Sequence, residues 1–306
     1  MKQKLLSFAA GATAIMLFPA CASLPAGAPL FQARDYVGDG VFTAGIEGPA
    51  TGPDGALYVV NFGREGTIGR VVPAGDGTGR ASLFTDLPPG SIGNGIRFDG
   101  DGAMIVADYK GHQLLRIDSE GQATVFASLP HAHQPNDIAR APSGIFYASD
   151  PDWASESGQL WRIDRDGQVK LIENNMGTTN GIELSPDGRR LYVGESVQRR
   201  IWLYDLDAEG RASNKRLFAS FADHGLDGMR CDRAGNLYVA RYGAGHVAVL
   251  APDGREIRRI PTWGKDPTNI AFGGPDGRSV YVTLQDRGAI EHFRTAVPGR
   301  EYGGSR

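Results

Sequence analysis

Six residues with side-chain oxygen recur along the 306-residue chain: Glu47, Asn94, Asn136, Asn180, Asp227 and Asn269. Their spacings are 47, 42, 44, 47 and 42 residues. Brought together, they would offer two carboxylates and four amides. Two carboxylates converging at a low-dielectric mouth repel each other unless a cation sits between them. All-oxygen donors favour one hard divalent ion, Ca²⁺ first, with Mg²⁺, Mn²⁺ or Zn²⁺ as the other candidates. No Cys and no paired His at short spacing suggests a zinc cage. A competing reading treats Asn94-Gly95, Asn180-Gly181 and Asp227-Gly228 as simple turn formers. It does not cover Glu47-Gly48-Pro49, because Glu lacks that local turn chemistry.

The elements that must position these residues repeat with them. A turn pair stands at +7 and +8 from each: Asp54-Gly55, Asp101-Gly102, Ser143-Gly144, Asp187-Gly188, Ala234-Gly235 and Asp276-Gly277. Gly tolerates positive φ there, as tight hairpins require. A strand follows each turn, as in Leu57-Tyr-Val-Val and Leu237-Tyr-Val-Ala, and then a second run such as Gln159-Leu-Trp-Arg-Ile. A fourth short strand precedes each marked residue, as in Leu83-Phe-Thr and Val125-Phe-Ala. Four antiparallel strands per unit, six units and no helical period imply an all-β, six-bladed β-propeller. The last unit shows three strands, and the orphan Val41-Phe42-Thr43 is expected to complete it. The ring is thus closed by an N-terminal strand, which protects the sheet edges. Each marked residue starts an inner strand, so the six should ring one mouth of the channel. Asn269 fits most loosely, since its apolar neighbour comes one place early, and its side chain is expected to rotate out of the ring.

The composition supports a turn-rich globular domain. There are 43 Gly and 18 Pro with no triplet period, and 41% of residues are hydrophobic, which excludes a disordered or collagen-like chain. The net charge of -3 shows no basic stripe and argues against nucleic acid as a partner. Cys21 and Cys231 cannot build a disulfide framework. Residues 1–22 read as a signal peptide: Lys2 and Lys4 precede the apolar stretch Leu5 to Phe18. Cleavage before Cys21 would make a lipoprotein, and cleavage after Ala22 at Ala20-Cys21-Ala22 an ordinary exported protein. Residues 23–30 read as a tether and 31–306 as the propeller domain. The expected location is periplasmic, with membrane contact only through a lipid on Cys21. Cys231 on an inner strand is expected to be a core thiol. Tyr58, Tyr147, Tyr192, Tyr238 and Tyr281, recurring at the blade period, are expected to pack between blades.

Several runs together resemble the gluconolactonase/regucalcin family of six-bladed propellers. They are Glu47-Gly48-Pro49, Pro135-Asn136-Asp137, Asn180-Gly-Ile-Glu-Leu-Ser-Pro-Asp-Gly188, Leu226-Asp227-Gly228-Met229 and Phe272-Gly-Gly-Pro-Asp-Gly277. The resemblance implies a lactonase with one divalent metal held by Glu47, Asn180 and Asp227. Asn136 matches a position that contacts substrate or completes the metal shell. Asp227 matches the acid/base residue, and Asp150-Pro151-Asp152-Trp153 matches a loop beside the pocket. Two features depart from the family: no aromatic follows Pro49 closely, and Gln134 stands where some relatives carry Arg. The latter bears on anionic sugar acids as substrates.

The expected chemistry is hydrolysis of a lactone by a polarised carbonyl and a carboxylate-assisted water. Asp227 or Glu47 takes the proton, and Asn136 and Asn94 orient the ring oxygen or hydroxyls. His133 and His224 each lie three residues before a marked residue. They read either as outer acid/base or substrate contacts or as solvated loop residues. No G-x-S-x-G elbow suggests a serine nucleophile. The alternatives are a phosphotriesterase or other esterase on the same metal site, and a non-catalytic ligand-binding propeller.

Overall fold

In a computed structural model, which describes residues 29–303, the chain forms six four-stranded antiparallel sheets arranged as a propeller ring. Among the described residues there is no helix. The leader and the tether up to residue 28, with Cys21, lie outside the described residues. Runs rich in Val, Ile, Leu and Tyr make the two middle strands of each blade, where branched and aromatic side chains pack well on a pleated surface. All six turn glycines after the inner strands have φ between 67° and 85°, as the hairpin reading requires.

The ring closes through an N-terminal strand, but not the expected one. Arg34–Val37 pairs antiparallel with Ala289–Arg294 and completes the sixth blade. Val41-Phe42-Thr43 instead straddles the start of Phe42–Thr51, the inner strand of the first blade, where Phe42 pairs with Phe62. The short motif fits both jobs. Its turn context and the burial of Tyr36 and Val37 against Ile290 and Tyr281 decide otherwise.

The core lies between blades. One cluster joins Ala139, Tyr147 and Leu160 of the third blade to Ile182, Leu191 and Val193 of the fourth. Full burial of one such aliphatic side chain contributes about 1.5–3 kcal/mol. The repeated tyrosines pack as expected. Tyr58 sits edge-on to Phe98 of the next blade, Tyr238 likewise to Phe272, and the Tyr147 hydroxyl donates to Gly210 O at 2.7 Å. Cys231 is buried, and burial pushes its thiol pKa up.

The carboxyl-terminal segment was not anticipated as part of the channel. It folds under the face that carries the inner hairpin turns. Gly299 N donates to Gly277 O and Arg300 N to Cys231 O, each at 3.0 Å. The Arg300 guanidinium is buried and donates from Nε to Glu183 Oε1 at 2.8 Å and from Nη2 to Arg140 O at 3.2 Å. This face of the channel is therefore capped by the chain's own end.

Candidate functional site

Inner strands bring the six marked residues to one mouth, and a break in strand register aims most of them inward. Pairing skips from Glu47 to Ala50, Gly93 to Ile96, Thr179 to Ile182 and Pro267 to Ile270. A bulge of this kind bends the strand and redirects a side chain.

The glycine after four of these residues has a different role from the turn-forming one. Gly95, Gly181 and Gly228 do not have positive φ; only Gly48 does, at 57°. What all four need is space. A Cβ on Gly48 would overlap the Asn94 carbonyl oxygen, and one on Gly181 the Asp227 carbonyl oxygen. On Gly228 it would overlap the Asn269 side chain, and on Gly95 it would fall 2.7 Å from Asp137 Oδ1. Each glycine lets the next blade's ring residue close up against its own. Gly95 N donates to Asn136 O at 2.8 Å and Gly228 N to Thr268 O at 2.7 Å, so neighbouring inner strands are also joined by backbone bonds.

Glu47 and Asp227 reach the same point from the first and fifth blades, within hydrogen-bonding reach of each other, and the Asn180 side chain lies against Asp227. Glu47 is held in place: its Oε2 accepts from its neighbour Gly48 N at 2.6 Å and from Asn269 Nδ2 at 2.8 Å. Burial, then the Asp137 charge, pushes the Glu47 carboxyl pKa up, opposed in part by these donors and by Arg230. Burial, then Glu47, pushes Asp227 up as well. Two carboxylates that resist sharing their charge need a proton or a cation between them. The Oδ1 atoms of Asn94 and Asn180 are buried with no hydrogen-bond partner. Buried acceptors are seldom left so, and orphan oxygens beside paired carboxylates fit a hard divalent cation. Among the described residues no group of three or more His, Cys, Asp or Glu gathers elsewhere as a metal cage. The ring itself has two carboxylates and completes its donors from amides.

Asn136 is buried at the ring, its carbonyl tied to Gly95. Asn269 does not rotate out. Its Oδ1 accepts from Ile270 N at 2.8 Å, which turns Nδ2 inward toward Glu47 and, at 3.5 Å, toward Asp137 Oδ2. It bridges Glu47 of the ring to Asp137 below it, rather than offering an oxygen to the mouth.

Asp150, expected among the substrate contacts, is fully buried. Its Oδ1 accepts from His133 N at 2.8 Å and Gln134 N at 2.5 Å, and its Oδ2 from Trp161 Nε1 at 2.9 Å. It therefore pins the loop that delivers Gln134 and Asn136, with both oxygens spent on that loop's backbone and Trp161. Gln134 is half-buried; His133 and His224 are exposed on the loops leading into the ring. His133 Nδ1 lies 3.9 Å from Asp152 Oδ2, beside an exposed Trp153.

Three charged residues below the ring escaped sequence reasoning. Asp137 is buried between Arg97 and Arg230, whose Nη1 atoms each lie 3.3 Å from one of its oxygens. Arg97 and Arg230 stand three residues after Asn94 and Asp227, and Glu183 three after Asn180. A charge at the same offset in otherwise apolar inner strands was the available signal.

A family model described as the SMP-30/gluconolactonase/LRE-like region matches residues 47–286. The chain is 30% identical over 241 residues to pentonolactonase XacC of Haloferax volcanii, covering 78% of this chain and 80% of that protein. It is 30% identical over 220 residues to the gluconolactonase of Zymomonas mobilis, covering 64% of this chain and 61% of that enzyme. In solved structures, a putative gluconolactonase superposes with a TM-score of 0.76 at 26% identity, over 91% of this chain and 96% of that one.

Proposed function

Because the chain belongs to the SMP-30/gluconolactonase/LRE-like family, we propose that its oxygen-lined mouth hydrolyses a lactone, of the sugar-lactone class its relatives are named for. Glu47, Asn180 and Asp227, with Asn136, would hold one divalent cation, calcium foremost. The observation that carries this reading is the adjacent Glu47–Asp227 pair beside the orphan Asn94 and Asn180 oxygens. When bound, a hard divalent cation supplies Lewis-acid polarisation of the lactone carbonyl.

The chain's own residues then divide the work. Glu47 is fixed by two donors and serves as a rigid support. Asp227, with the Asn180 side chain as its favourable neighbour, faces Glu47 across the mouth and serves as the base. It accepts a proton from the attacking water as the water oxygen bonds to the carbonyl carbon. Collapse of the adduct breaks the bond from that carbon to the ring oxygen. The proton passes from Asp227 to the departing alkoxide, giving the hydroxy acid. Asn94 and Gln134, at the rim, orient the ring oxygen and hydroxyls. The leader, in the same reading, exports the protein; palmitate incorporation abolished by Cys21→Ser would establish the lipid anchor, and no incorporation would remove it.

The test is a panel of sugar lactones, simple esters and phosphotriesters, assayed after chelation and after cation is restored. Turnover of lactones that vanishes with chelator is expected. Asp227→Asn at saturating cation should lose about 10²–10⁴ in kcat. Near-normal activity in that variant would remove the proposed base. Turnover of phosphotriesters alone, or of nothing with cation bound, would replace a lactonase with the esterase or the binding module.

A further inference from the structure

Arg97 and Arg230 extend from the inner strands Gly93–Phe98 and Met229–Cys231 of the second and fifth blades. Those blades stand opposite each other in a ring of six. The two side chains therefore cross the channel from facing walls and meet at Asp137 of the third blade. Their local geometry is the same. Each Nη1 donates to the carbonyl of the preceding residue, Arg97 to Ile96 at 2.7 Å and Arg230 to Met229 at 2.6 Å, and each takes one Asp137 oxygen.

That leaves donors without acceptors. Arg97 Nε and Nη2 and Arg230 Nη2 are buried with no hydrogen-bond partner. The side chains are only 3% and 9% exposed, so bulk water does not solvate them. Buried guanidinium groups are ordinarily paired or hydrogen-bonded, because a guanidinium cannot shed its charge. Nearby carboxylates are engaged elsewhere. Glu183 is taken by Arg300 at 2.8 Å, and Glu301 lies 3.1 Å from Arg300; the Arg97, Arg230 and Arg140 charges also hold the Glu301 carboxyl down, but it makes no hydrogen bond to the orphan donors. Arg140, with a buried Nε also unpartnered, adds a further positive charge on that side. Four guanidinium groups thus face three carboxylates below the ring.

We propose that the buried unpartnered donors of Arg97 and Arg230 bind one small monovalent anion, of the size and chemistry of a halide. The charge excess of one sets its valence. The enclosure of the donor atoms sets its size. The burden it relieves is visible in Arg97, whose guanidinium pKa is pushed down by burial and then by the like charge of Arg230. The site lies apart from the ring ligands and does not depend on the activity proposed for them.

Crystals of the full mature chain grown in sodium bromide test this directly. An anomalous bromide peak within about 3.5 Å of Arg97 Nη2 and Arg230 Nη2 is expected. Water there, with no anomalous signal, would overturn the site. In solution, melting is followed against chloride at constant ionic strength held with methanesulfonate. Once the site is filled, each tenfold rise in chloride should raise Tm by about 3 °C. Arg97→Gln should lose that dependence; the same slope in the variant would overturn the proposal. If Arg97→Gln does not fold, the bromide peak and the chloride slope of the unaltered protein decide the question.

Discussion

The two levels of the channel are electrostatic opposites built on one strand register. At the mouth, Glu47 and Asp227 converge, their pKa values are pushed up, and the orphan atoms are acceptors on Asn94 and Asn180. Three residues further along the second and fifth inner strands, guanidinium groups converge, Arg97 is pushed down, and the orphan atoms are donors. Asp137 lies between, bonded to both arginines and to Asn269, which in turn bonds Glu47. One repeated strand can thus hold opposite unmet groups three residue steps apart along the channel. Each level is incomplete in the sense that the other is not, and Asp137 links the two, while the Arg230 charge reaches up to hold Glu47 down in part.

The sharpest way to break this comparison is to remove the divider. Asp137→Asn leaves two buried guanidinium groups without their shared carboxylate and should destabilise the protein by about 3–5 kcal/mol in urea unfolding. A loss below about 1 kcal/mol would mean that the arginines are already neutralised without it. Next comes the spacing of the mouth. Gly48→Ala must place a Cβ against the Asn94 carbonyl at a positive φ, and should cost about 2–3 kcal/mol and weaken cation binding. Unchanged binding would show that the first and second blades need not close up so tightly.

The smaller test is pH. Folding raises the Glu47 and Asp227 pKa values, so the cation-free folded state holds protons that the unfolded chain has released. Stability of the cation-free protein should therefore fall as pH rises from the ordinary carboxylate range toward neutrality. Added cation should flatten this slope, because it takes the place of the protons and releases them. A cation-free protein whose stability climbs over that interval would contradict the paired carboxylates at the mouth.

Much of this architecture is legible in the amino-acid order because it repeats. The blade period, the turn glycines and the oxygen-bearing ring all recur, and any one copy supports the rest. What the sequence hid is what does not repeat. Val41-Phe42-Thr43 resembles an outer strand locally, and only the pairing of Arg34–Val37 with Ala289–Arg294 shows which segment closes the ring. Asn-Gly and Asp-Gly are strong turn signals, so their use for close approach between blades is invisible until neighbouring chains are placed. Asp150 reads as a pocket residue beside Trp153, yet its oxygens are spent on the loop backbone and Trp161. Asp137 shares its place with Gly in four other copies, and its partners lie 40 residues before it and 93 after it.

The most direct measurement is calorimetric titration of chelator-stripped protein with Ca²⁺. One ion per chain should bind, and Glu47→Gln and Asp227→Asn should each weaken it by about 100-fold or more, while His224→Ala leaves it unchanged. No heat of binding, or equal affinity in the carboxylate variants and the unaltered protein, would contradict a cation held at this mouth.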